Sequence, residues 1–264
     1  MLRLSPGQKI QITLRIAVAM CFIGHGAFGI ITKAIWCNYF AVFGIGPDLS
    51  YRLMPLLGAV DILLGITLLL YPMRAIPAWL VIWAIVTALL RPLSGEPLAE
   101  FFERAGNYGA PLALLLLTGF DWKKRKSWLG RIDPHLQPDE KTWVRVTACL
   151  RIVVFLLLLG HGWLNLLEKK GLLGQYTSLG FSNPAMIAQS VGLFEIIAAL
   201  AVLIRPFGPL LLFLFAWKII SECFYPHYGA FEWIERGGSY GSLLALWFTL
   251  NRKKETLVVS GIAG

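Results

Sequence analysis

Residues 14–33 read LRIAVAMCFIGHGAFGIITK, and residues 150–169 read LRIVVFLLLLGHGWLNLLEK. Each run is apolar, with an arginine second, a Gly-His-Gly triplet past its middle and a lysine last. Arg151, His161 and Lys169 all stand 136 positions beyond Arg15, His25 and Lys33. We read the two runs as equivalent membrane-crossing helices of two fused, homologous halves. Other pairs extend the match. Asp61 and Glu195, Pro72 and Pro206, Trp83 and Trp217, and Pro92 and Pro226 are each 134 apart. Glu100-x-x-Glu103-Arg-Ala-Gly-Asn-Tyr-Gly answers Glu232-x-x-Glu235-Arg-Gly-Gly-Ser-Tyr-Gly at a distance of 132. The small slips fall between predicted helices, where length changes are tolerated.

Composition sets the class. Of 264 residues, 57% are hydrophobic and 15% charged, against roughly 25% charged in soluble domains. Mean hydropathy is +0.66. Several runs of about 18 or more apolar residues are long enough to cross roughly 30 Å of hydrocarbon. They are continuously apolar, which argues for helices rather than the alternating strands of a barrel. The expected spans are 10–32, 52–71, 75–90 and 108–120, then 146–167, 184–204, 210–224 and 240–250. The predicted fold is thus an all-α membrane protein. Its eight transmembrane helices form two tandem four-helix bundles, related by a pseudo-twofold axis along the membrane normal.

The units expected are a first repeat (1–121), a basic linker (122–145), a second repeat (146–251) and a tail (252–264). The segment SGEPLAEFFERAGN, and its counterpart from Tyr225 to Gly238, reads as an interfacial helix. Residues 1–9 are short and polar, and the run after them lacks a cleavage motif, so no removable signal is expected.

The net charge is +9 and the isoelectric point about 9.5. The basic residues cluster at helix ends, which points to membrane topology rather than nucleic acid. Placing both termini in the cytoplasm puts most lysines and arginines inside, including the run at 123–126, which would attract anionic lipid. The expected location is the inner membrane of a cell. The four cysteines show no C-x-x-C and no metal-ligand spacing. Phosphate-loop, dinucleotide, zinc-hydrolase and nucleophile-elbow motifs do not occur.

Ionisable groups inside hydrocarbon cost about 2.5–3.5 kcal/mol each on insertion scales, so they mark an interior or a site. Half one has Arg15, His25 and Asp61. Half two has Arg151, His161, Glu195, Lys218 and Glu222, with Asn165 and Glu168 following His161 on one helical face. Ala84 and Ala88 stand where half two has Lys218 and Glu222. A ligand pocket is therefore expected in the outer part of half two, with half one the more degenerate partner.

Each histidine sits between glycines, which let a helix or a flat ligand come close. Two readings stand: a structural hydrogen bond to a neighbouring carboxylate, or contact with a ligand, quinone being preferred to haem. No second histidine lies at ligand spacing, since His135 and His227 fall in loops. Arg15 and Arg151 snorkel to headgroups or pair with Asp61 and Glu195. Glu103 and Glu235 are expected to cap the last helix of each half.

The pattern Arg15…His25-Gly26…Lys33, repeated as Arg151…His161-Gly162…Lys169 in a four-span unit, resembles the DoxX-like membrane family. The acidic residue in span two of each half agrees with it. The resemblance implies a tandem pair of four-helix units in a quinone-linked, redox-associated setting, with membrane lipids and a redox partner subunit as partners. It leaves catalysis open. A transporter or lipid-handling protein, or a scaffold without chemistry, are the alternatives. Tandem fusion and the Ala84/Lys218 and Ala88/Glu222 divergence depart from a simple family unit.

Overall fold

A computed structural model describes residues 4–119, 128–224 and 229–259. The expected linker residues 123–126, Pro226 and His227 lie outside them. The described chain is helical, with one isolated β-bridge between Met73 and Arg131. In order the helices are α1 (Pro6–Ile31), α2 (Trp36–Ala41), α3 (Pro47–Leu70), α4 (Ala75–Leu93), α5 (Ala99–Glu103) and α6 (Ala105–Leu117). Then come α7 (Glu140–Leu166), α8 (Lys170–Ser178), α9 (Pro184–Ile204), α10 (Gly208–Cys223), α11 (Ala230–Glu235) and α12 (Gly237–Val259).

Five of these, α1, α3, α4, α7 and α9, are long and apolar enough to cross a membrane. The protein is thus a helical membrane protein. The other three expected spans are also helices but fall short. At 13 residues α6 is about 20 Å long, and α10 has 16 residues. In α12 the apolar stretch ends at Leu250, before Asn251 and Arg252.

Local chemistry starts and stops the helices. Ser5 and Gln8 form a capping box before Pro6, which opens α1. Asp139 accepts from the Thr142 hydroxyl and from the Thr142 amide, the latter at 2.8 Å, and these hydrogen bonds hold its carboxyl below the usual range. α1 and α7 both end in a non-glycine residue with left-handed backbone, Thr32 (φ 65°) and Glu168 (φ 52°). These two are again 136 positions apart.

The arginines of the opening helices settle the ends of the next ones. Arg15 donates to the carbonyls of Leu68 (3.3 Å) and Leu69 (2.6 Å) at the C-terminus of α3. Arg151 donates to those of Leu203 and Ile204 at the C-terminus of α9. A cation there answers both the unpaired carbonyls and the negative helix end. Arg15→Ala should cost about 1–2 kcal/mol by unfolding in detergent. Arg15→Lys should recover only part, because an ammonium does not fork across two carbonyls.

The glycines show how the halves meet. A Cβ on Gly26 or Gly162 would fall within 3.0 Å of the Gly58 or Gly192 carbonyl, so the second glycine of each triplet seats α3 or α9 of its own half. The first glycine seats the other half. Gly24 is filled by the Glu235 backbone of α11, and Gly160 by the Glu103 backbone of α5. Gly106 packs on Gly238, its own counterpart. Gly109 rests on Val153 and Gly241 on Ala17, residues 136 apart. Each half therefore lends its short helix to the other half's first helix.

One continuous apolar core results, running from Leu14 and Val18 through Leu114 and Val154 to Leu246. The expected interfacial helix is corrected here. α5 is packed into the protein, with Ala99, Glu100 and Glu103 buried, because Gly160 leaves room for its backbone. Phe102 stacks near Trp163 and Phe101 on Tyr108. A break between α5 and α6 is tolerable where protein, not lipid, surrounds it.

Candidate functional site

The seating of α3 on α1 and of α9 on α7 brings the buried carboxylates to the histidines. In half one, His25 Nδ1 lies 3.1 Å from Asp61 Oδ2. In half two, His161 Nδ1 lies 2.5 Å from Glu195 Oε2. Both carboxylates are nearly sealed, at 3% and 0% exposure. With Nδ1 engaged, Nε2 is the nitrogen each ring can offer a ligand.

Half two adds polar groups around this pair. Glu195 Oε1 accepts from the Trp217 indole at 3.1 Å and from Lys218 Nζ at 3.2 Å. Asn165 donates to the His161 carbonyl at 3.0 Å, and its own oxygen accepts from the Tyr176 hydroxyl at 2.7 Å. His161, Asn165, Glu195 and Lys218 thus form one connected cluster. Glu222 does not join it. It pairs with Arg236, 3.7 Å away, one turn further along α10 from Lys218.

Glu103 behaves differently from the cap expected. α6 starts at Arg104 with no side-chain cap. The Glu103 carboxylate accepts instead from Arg104 (2.6 Å) and, across the halves, from Arg236. The cause is the cross-packing: α5 sits on Gly160, which points Glu103 at the other half's Arg236 rather than at its own helix. Glu100 ties the same corner together, pairing with Arg104 (2.6 Å), Lys169 (2.6 Å) and Arg91 (3.4 Å).

Two cavities of similar size open beside the histidines. The first, about 270 Å³, is walled by His25, Asp61, Trp36, Tyr39, Phe40, Trp83 and Ala84 among others. Trp36 stacks on His25 at 4.7 Å between centroids. Tyr39 donates to Glu96 at 2.5 Å, and burial pushes its phenol up. The second, about 280 Å³, is walled by His161, Tyr176, Leu179, Val191, Trp217 and Glu222. A third, charged chamber of about 150 Å³ lies between them. It shares Arg91 and Arg104 with the first cavity, and Glu103 and Arg236 with the second.

Sequence reasoning missed Tyr176, Tyr39, Glu96 and the donor role of Trp217. The last carried a signal, since Trp83 and Trp217 are paired in the repeat. The tyrosines sit on the short helices α2 and α8 and are 137 positions apart, one residue off the 136 offset of the opening helices. No protein-family model, no curated protein and no solved structure matches the chain.

Proposed function

We propose that this protein is a DoxX-like, quinone-linked membrane subunit that holds a quinone or similar lipophilic ring compound beside a buried histidine. In this reading it is eight spans, two tandem four-helix units related by a pseudo-twofold axis, in an inner membrane with both termini cytoplasmic. The repeat offsets and the distribution of basic residues support that arrangement. One observation carries the functional reading. In each half an imidazole fixed by a sealed carboxylate forms part of the wall of a mostly apolar cavity with charged residues at one side, Arg91 and Arg104 in the first and Glu103 and Arg236 in the second. Such a site suits a ligand that is mostly apolar and has a few polar atoms to orient. Volumes a little under the roughly 300 Å³ where small-molecule sites begin suit a ring, with any isoprenoid tail left among lipid.

The chamber between the cavities favours a second reading, a lipid-handling protein or transporter that passes a polar headgroup along Arg91, Arg104 and Arg236. One preparation separates the readings. The full chain purified in mild detergent should release quinone on solvent extraction, and His25→Ala and His161→Ala should each hold it about tenfold more weakly. Phospholipid released in place of quinone, with lipid flux in liposomes, would favour the second reading. Neither ligand, with both alanine variants unchanged, would leave a scaffold.

A further inference from the structure

Both cavities have two unlike ends. One end meets the charged chamber, through Arg91 and Arg104 in the first cavity and Glu103 and Arg236 in the second. The other end is set by wall residues that also belong to the outer surface. In the first cavity these are Phe43 and Val86, 62% and 37% exposed. In the second they are Leu179 and Ile220, 42% and 55% exposed, with Phe181 and Phe224 beside them. All six are apolar. A residue that is both cavity wall and outer surface marks where the cavity comes closest to the outside. The positions follow the repeat: Phe43 and Leu179 stand 136 apart, Val86 and Ile220 134 apart. Phe43 follows α2 and Leu179 follows α8, while Val86 and Ile220 lie on α4 and α10. Val86 shares the outer stripe of the membrane-length helix α4 with Ile82 and Leu89, and Ile220 shares that of α10 with Phe213. Apolar stripes of this kind on a membrane protein face lipid.

We infer that each cavity has a side passage into the lipid, between Phe43 and Val86 in half one and between Leu179 and Ile220 in half two. The occupant is an amphiphile with a single chain. Its ring lies by the histidine with its polar atoms toward the chamber, and its chain leaves through the passage. Two such ligands, one per half, point their polar ends at the same chamber from opposite sides. This inference rests on the reading of the cavities as ligand sites, and adds the route, the orientation and the residues that admit the chain. Lipid tails are as apolar as leucine, so a chain that passes out into lipid should neither add to nor subtract from the binding of its ring.

The test uses the full chain in lipid nanodiscs and two probes, the dimethoxy-methyl-benzoquinone ring of ubiquinone either bare or with a decyl chain. Concentrations are counted per lipid, so that partitioning into the bilayer cancels. The natural protein should bind both probes equally well. Val86→Trp combined with Ile220→Trp fills both passages from the lipid side. It should weaken the decyl probe about tenfold and leave the bare ring unchanged. Binding of the bare ring also reports that the variant is folded. Ile82→Trp, one turn away on the same outer stripe but outside the cavity wall, should change neither probe. Should the double tryptophan variant fail to fold, Val86→Phe with Ile220→Phe decides on the same terms. Three results would each overturn the passages while the cavities remain ligand sites: a decyl probe held by the double variant with natural affinity, both probes weakened equally, or a natural protein that takes the bare ring and refuses the decyl probe. Failure of the natural protein to bind either probe would remove both this inference and the reading beneath it.

Discussion

Replacing Glu195 by alanine should cost about 3–5 kcal/mol, the largest loss from any single carboxylate in the protein. Glu195 is sealed from solvent and receives His161, Trp217 and Lys218. Removing it leaves an ammonium and two N–H donors among apolar helices. The lysine dominates the cost, because Lys218 is itself only 4% exposed and Glu195 is its charge partner at 3.2 Å. Two comparisons make the assignment specific. Adding Lys218→Met to Glu195→Ala should recover roughly half of the loss, since an apolar side chain of similar length needs no partner. Asp61→Ala should cost only about 1–3 kcal/mol, because half one has Ala84 where the lysine would be. Unfolding curves in mixed micelles would rank the three. An Asp61→Ala loss equal to that of Glu195→Ala would show that the lysine is not the source.

That ranking was partly legible in the sequence. A carboxylate, a histidine and a lysine within apolar runs have few options, so their meeting is close to forced once the helices pack. Offsets of 136 and 134 also told which residues are equivalent. They could not tell which residues touch. Gly24 and Gly160 are equivalent, but what fills each is a helix of the opposite half, and equivalence is silent about that choice. For the same reason the segment around Phe101 and Phe102 read as a surface helix. Its polarity is real, but Glu100, Glu103 and Arg104 satisfy one another and the other half's Lys169 and Arg236 inside the protein. The short helices α6 and α10 were visible as apolar runs, but length alone could not say that protein rather than lipid surrounds their ends. Counting polar residues also said nothing about cavity size in half one. Alanine at 84 and 88 marks half one as the less polar half, yet the two cavities are nearly equal in volume.

The exchange of short helices predicts a second large effect. Gly160→Ala should destabilise the protein by about 3 kcal/mol, the upper end of the roughly 1–3 kcal/mol that overpacking typically costs. The atoms in the way are the backbone nitrogen and Cα of Glu103, with the Phe102 carbonyl carbon beside them, and no rotamer change can clear them. α5 must lift from α7. Because Glu103 then leaves Arg236, and Glu100 leaves Lys169, one added methyl should break the contacts that join the halves at this end. Gly24→Ala should do the same through the Glu235 backbone on the opposite side. A methyl at Gly174, where the surroundings are open, should change stability by less than about 0.5 kcal/mol. Cysteine pairs give a direct readout: one introduced at Phe102 and one at Trp163, whose rings lie 6.4 Å apart, should crosslink in the natural background and fail in Gly160→Ala. If crosslinking and stability both survive the added methyl, then α5 does not depend on the bare glycine, and the joining of the halves must be sought along Gly106 and Gly238 instead.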